Sequence, residues 1–255
     1  MSNTVQILAG EEQYIQALYS SPQEKSFENL DRLLVIMVHG FPGYKEAHND
    51  IFKDLEHVTG DKSYHTLRFD FRGCGESDGR QEDFSLLSAG EDLQTVLSWA
   101  KDRGYKRFIF IAEGLGAPIT LMNTPDETVC MIMLWPMLDM PHIAKTLFQA
   151  EAIEEQWKKA GYILKDEDRI GLPFLQQLPK QNIASALKDL NGPILIMHGA
   201  QDEISPISQL DIVRTHAGAR RIEITSFQDG AHGLPEPNHR KTIFYHMMQF
   251  IEKYT

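Results

Sequence analysis

Cysteine is scarce in this chain, with Cys74 and Cys130 the two present in 255 residues. Two isolated thiols provide neither a disulfide framework nor a metal-ligand spacing, so no stapled or metal-clipped scaffold is expected. Long apolar runs are missing as well. The longest, Val129 to Leu138, is interrupted by Pro136 and falls well short of the ~20 residues that a membrane-spanning helix requires. Positive charge is in deficit: 25 Lys and Arg stand against 36 Asp and Glu, for a formal net charge of −11. That balance disfavours generic attraction to nucleic acid or to an anionic membrane. Met1-Ser2-Asn3-Thr4 lacks the basic stretch and following apolar run of a secretory leader. With the sparse cysteines, this sets the expectation of a soluble protein of a reducing compartment, the cytoplasm, whose partner is a small molecule or another protein.

What is present is ordinary globular stock, 42% apolar and 24% charged. Its apolar residues fall into alternating strand-like and helix-like segments. Thr4 to Leu8 and Glu12 to Tyr19 read as an edge hairpin turning at Gly10 and Glu11. Leu33 to Val38 is a continuous apolar run, as expected of a strand covered on both faces. Helix-like spacing follows over Glu46 to Val58, then a strand over Ser63 to Phe69 and a helix over Ser85 to Lys101 with Leu86, Leu87, Leu93, Val96, Leu97 and Ala100 expected on the face against the core. Strands are expected at Phe108 to Ala112, Val129 to Met137, Pro193 to Met197 and Arg221 to Thr225, and further helices at Ser208 to His216 and Asn238 to Lys253. This alternation predicts an α/β fold with a mainly parallel sheet and helices on both faces.

Residues 140–190 break the rhythm. The first part, through Gln156 to Ala160, reads as helical, Gly161 to Pro173 as turn-rich, and Phe174 to Leu178 as a short segment stopped by Pro179. An excursion of this length is expected to be a lid or cap over a cleft, with a second small domain as the alternative. The resulting division is a core of 1–139 and 191–255 with an inserted cap of 140–190.

Between the strand Phe108 to Ala112 and the next helix lies Ala112-Glu113-Gly114-Leu115-Gly116. This pattern resembles a G-x-S-x-G nucleophile elbow, whose small flanking residues let strand and helix approach closely, but its central position is Gly114. Further motifs follow in a fixed order: His39-Gly40-Phe41, Asp70-Phe71-Arg72-Gly73-Cys74-Gly75-Glu76-Ser77, His198-Gly199-Ala200-Gln201-Asp202 and Gly230-Ala231-His232-Gly233. Together they resemble the α/β-hydrolase superfamily of serine-hydrolase type over essentially the whole chain. Arg68 to Gly79 and Ile170 to Pro179 are most similar to cinnamoyl or feruloyl esterase-like and monoacylglycerol-lipase-like members. The resemblance implies an oxyanion hole formed by the backbone N–H groups of Phe41 and Leu115, an acid at Asp202 and a base at His232. It also implies a small-molecule ester or acyl ligand, most readily one with a medium-sized apolar or aromatic acid, and no cofactor or metal. His39, Asp70 and Arg72 are expected to order their loops rather than to touch substrate.

The surrounding pattern thus implies a hydrolase, whereas glycine has no atom with which to attack a carbonyl. Glu113 fits poorly as a substitute, because that register would place bulky Ile111 at a small-residue position. Cys74 and Cys130 are expected to be structural thiols. Three readings stay open: an esterase inactivated by replacement of its serine, an unorthodox enzyme in which His232 and Asp202 act on water directly, and a non-catalytic ligand-binding protein.

Overall fold

Residues that are apolar without interruption become the centre of the sheet. In the computed structural model, which describes residues 2–22, 32–148, 158–181, 183–190, 192–217 and 222–255, ten strands are present among the described residues. They are β1 (Ser2–Leu8), β2 (Tyr14–Ser20), β3 (Leu33–Val38), β4 (His65–Phe69), β5 (Arg107–Glu113), β6 (Thr128–Leu134), β7 (Tyr162–Lys165), β8 (Asp168–Gly171), β9 (Ile194–Gly199) and β10 (Ile222–Phe227). Eight of them form one sheet in the order β1-β2-β4-β3-β5-β6-β9-β10. The β1–β2 and β2–β4 pairings are antiparallel, and every other pairing in the sheet is parallel. The opening hairpin and the mainly parallel sheet are as expected. Arg221, the expected start of the last strand, lies outside the described residues.

The side-chain period of two sorts β5 onto two cores. Phe108, Phe110 and Ala112 join one apolar cluster, while Ile109 and Ile111 join another on the opposite face. The second face is covered by α1 (Ile51–Gly60), through Ile51, Phe52 and Leu55, and by the C-terminal helix, through Ile243, Met247 and Ile251. The first face is covered by α2 (Leu86–Asp102), which starts on the side chain of Ser85, and by α3 (Gly116–Met122). Leu87, expected on the core face of α2, is instead exposed, because one position on from Leu86 the helix has turned by about 100° away from the buried stripe. Helices therefore lie on both faces.

Between β6 and β9 the chain leaves the sheet. It forms α4 (Met140–Thr146), the β7–β8 hairpin, α5 (Leu172–Gln177) and α6 (Ile183–Asp189). The helical expectation around Gln156 and Trp157 lies outside the described residues, and residues 158–160 beyond them are helical. The stretch expected to be turn-rich is instead an antiparallel hairpin, in which Ile163 faces Ile170 and both are buried. Mutual burial of that pair holds two four-residue strands together where their charged neighbours give little strand signal. Phe148, Ile163, Ile170, Phe174, Leu178 and Leu187 belong to the same apolar cluster as α2 and the sheet, so the described residues of this segment share the core of the sheet. After β9 come α7 (Asp211–His216) and α8 (Pro237–Tyr254).

Candidate active site

In a parallel sheet flanked by helices, ligands bind beyond the carboxyl ends of the strands, and the motif residues converge there. β5 ends at Glu113 and α3 begins at Gly116, which leaves a two-residue turn. Gly114 in that turn has φ of +54°, in the left-handed region. A side chain on Gly114 would find open space, the nearest atom being the Gly40 Cα at 4.0 Å. Two residues on, the constraint is the reverse. A Cβ on Gly116 would lie 2.4 Å from the Val38 carbonyl oxygen and 2.6 Å from that of His39, so only glycine lets α3 approach β3. The turn is locked to the chain after β5's neighbour: the Gly114 N–H donates to the Leu134 carbonyl at 3.1 Å, and the Met137 N–H donates to the Gly114 carbonyl at 3.1 Å.

The loop after β3 is held from three sides. His39 is fully buried, its Nδ1–H donates to the Gly40 carbonyl at 2.6 Å, and its Nε2 accepts the Phe71 N–H at 3.1 Å. This pattern needs a neutral ring, and burial holds the His39 pKa below the ordinary histidine value. His39 therefore orders the loop, as its position in the sequence suggested. Glu113 holds the loop from the elbow, accepting the Gly40 N–H at 3.0 Å on one carboxylate oxygen and the Trp135 Nε1–H at 3.0 Å on the other. The Phe41 ring stacks on Phe84 with centroids 3.8 Å apart and meets Phe174 of α5 at 4.9 Å. Among the described residues, neither the Phe41 nor the Leu115 N–H donates to a protein acceptor, and both residues line one cavity.

The loops after β9 and β10 bring Asp202 and His232 together. His232 Nδ1–H donates to Asp202 Oδ2 at 2.7 Å, and among the described residues its Nε2 has no hydrogen-bond partner. The other Asp202 oxygen accepts the N–H groups of Ile204 at 3.0 Å and Ser205 at 2.8 Å. Asp202 thus both fixes its own loop and orients His232. Beneath it, His198 Nε2–H donates to the Ser205 carbonyl at 2.7 Å and stands 3.6 Å from Asp202, while burial lowers the pKa of His198.

The cavity has a volume of about 180 Å³, and Phe41, Gly114, Leu115 and His232 are all in its wall. A larger groove of about 500 Å³ runs along β10 and α8 past Glu223, Thr225 and His246 but contains none of the motif residues, which gather instead at the smaller cavity. Asp70 and Arg72 hold their turn as expected. Asp70 accepts the Lys45 Nζ at 2.8 Å and the Glu76 N–H at 2.9 Å, and Arg72 pairs with Asp92. The cysteines are buried, and burial pushes the Cys130 thiol up to about 12 and raises that of Cys74 further, which suits structural thiols. Sequence reasoning missed the Glu113 anchor and the cavity-lining Lys165, Asp166 and Asp168 of the hairpin. Neither has a local signal in the sequence: the anchor joins residues 73 positions apart, and charged side chains occur throughout the insertion.

The profile of the alpha/beta hydrolase family matches residues 35–248, most of the chain and every motif described above. The chain belongs to the alpha/beta hydrolase family. Among solved structures, this hydrolase-family chain superposes on Est1E from Butyrivibrio proteoclasticus with ferulic acid bound, at a TM-score of 0.82 and 20% identity over 98% of each chain. It also superposes on alpha/beta hydrolase domain-containing protein 10 from mouse, at 0.77 and 17% identity over 99% of this chain and 100% of that one. At such identities the likeness is one of fold. Among curated relatives, it is 23% identical over 192 residues to the alpha/beta hydrolase domain-containing protein WAV2 of Arabidopsis thaliana. It is 25% identical over 210 residues to the uncharacterized protein YfhR of Salmonella typhimurium. Those matches cover 72% and 78% of this chain, which spans 59% and 63% of the two relatives' lengths. No helix among the described residues is long and apolar enough to cross a membrane.

Proposed function

We propose that this alpha/beta hydrolase carries the framework of a carboxylic-ester hydrolase in which Gly114 occupies the position of the attacking serine. The observation that carries the reading is the left-handed Gly114, with open space before it, in a cavity shared with His232. A side chain there would enter open space at a position that lines the same cavity as His232. In such a framework His232 Nε2 takes the nucleophile's proton, Asp202 holds the ring through Nδ1, and the N–H groups of Phe41 and Leu115 receive the developing oxyanion. Among the described residues the Phe41 and Leu115 donors have no protein acceptor, which suits a site that receives a carbonyl oxygen. With glycine in place the ligand's carbonyl can be bound, but no acyl-enzyme forms at this position. Residues 140–190 act as the cap over this site, and the ligand is a small-molecule ester or the acid released from one.

Gly114→Ser tests the reading. The variant is expected to hydrolyse short-chain esters and to be labelled by a fluorophosphonate at residue 114, whereas the unmodified chain does neither. A folded Gly114→Ser chain that is inert to both would sink it. The intact Asp202–His232 pair beside an open glycine also admits direct activation of water by His232. Ester turnover by the unmodified chain that disappears in His232→Ala would select that route instead.

A further inference from the structure

The cavity wall contains one ammonium group. Lys165, at the end of β7, lines the same space as Gly114 and His232. It is half-buried, its Nζ donates to the Leu147 carbonyl at 3.1 Å, and it lies 5.3 Å from the centroid of the Phe148 ring. No carboxylate reaches within ion-pair distance of it among the described residues. Burial lowers its pKa, and the nearby charge of Asp166 opposes that shift only in part.

The acidic groups in the wall keep their charge but are engaged by other donors or by water. Glu113 is engaged by Gly40 and Trp135, Asp168 accepts the Gln81 Nε2–H at 2.6 Å, and Asp166 is exposed to water at the hairpin turn. Among the described residues Lys165 is therefore the single ammonium of this wall, partly withdrawn from water and beyond ion-pair distance of the carboxylates of Glu113, Asp166 and Asp168 that share it. A half-buried cation of this kind is stabilised by an anion brought to it. The cavity is also small: about 180 Å³ lies below the several hundred Å³ typical of drug-sized ligands, which favours a short acyl chain over an aromatic one.

We infer that Lys165 is a specificity-determining residue that binds a terminal carboxylate on a short acyl group, so that the ligand class is the half-ester of a short dicarboxylic acid or the diacid itself. This rests on the hydrolase reading for which end of the ligand meets Phe41 and Leu115, while binding to Lys165 can be measured without turnover.

The test is calorimetric titration of the unmodified chain with succinate, glutarate and adipate, each against the monoacid butyrate. At least one diacid should bind about tenfold more tightly than butyrate, Lys165→Met should abolish that preference, and Lys165→Arg should keep most of it. Equal binding of diacids and butyrate by the unmodified chain, or a preference that survives Lys165→Met in a chain with an unchanged melting curve, overturns the assignment. A second arm compares monomethyl glutarate with methyl butyrate as substrates of Gly114→Ser. Failure to hydrolyse either ester while the diacid preference persists removes the hydrolase reading and leaves the Lys165 subsite standing. Equal kcat/KM for the two esters, unchanged by Lys165→Met, removes the subsite and leaves the hydrolase reading standing.

Discussion

A residue other than glycine held at φ near +54° carries on the order of 1–3 kcal/mol of backbone strain, and a serine at position 114 would have to bear it. Gly114→Ser is therefore expected to gain its activity while unfolding at lower urea concentration than the unmodified chain, a loss that paired denaturation curves would measure. Glu113 sets a second expectation at this scale. Its two carboxylate oxygens satisfy two donors, Gly40 N–H and Trp135 Nε1–H, and a glutamine offers one acceptor in their place. Leaving one of those donors unpaired costs about 1–3 kcal/mol. Glu113→Gln should thus melt earlier than the unmodified chain and shift the tryptophan emission, since Trp135 is fully buried beside it. An unaltered melt and spectrum would mean that the loop is held without Glu113.

Among the elements, α2 has the most explicit start. Ser85 accepts the Ser88 N–H at 3.0 Å while Ser88 Oγ accepts the Ser85 N–H at 2.9 Å, a reciprocal cap that anchors the helix one residue after Phe84. Ser85→Ala should cost about 1 kcal/mol in chemical denaturation, and a change within error of zero would show that packing alone fixes the helix start. That helix was legible in the sequence because its apolar residues recur at helical spacing, and β3, β5 and β9 were legible because their apolar runs are unbroken. The β7–β8 hairpin was not. Each of its strands has four residues, too few for a period to emerge, and what pairs them is the meeting of Ile163 with Ile170. The candidate site divides in the same way. Phe41, Gly114, Leu115, Asp202 and His232 stand in local motifs whose order can be read along the chain. Glu113 reaches the backbone of Gly40, 73 positions away in sequence, and Lys165 meets the cavity only because the inserted hairpin folds over the strand ends. Neither relation has a local sequence signature.

For the whole molecule, the buried histidines couple folding to pH. His39 and His198 are fully buried, and burial lowers both pKa values from the ordinary 6.5. The unfolded chain then binds more protons than the native one once the pH drops below about 6.5. The stabilisation that comes from keeping these rings neutral is complete above that pH and is lost progressively as the pH falls from it toward the lowered native values. Each ring contributes a slope of at most ~1.4 kcal/mol per pH unit in that window. Melting temperatures measured between pH 7.5 and 5.5 should fall with acidification, and a flat profile would show that the two rings are protonated in the native state without penalty.

The stack of Phe41 on Phe84, with Phe174 of the inserted segment against both, bears on how such a protein can be altered. Because one ring of the inserted segment packs on the ring of a residue whose backbone lines the cavity, the segment is not an interchangeable part. A transplanted segment that lacked an aromatic at the Phe174 position would leave a void against Phe41, so a graft made to change the hairpin side of the cavity would alter the Phe41 side as well.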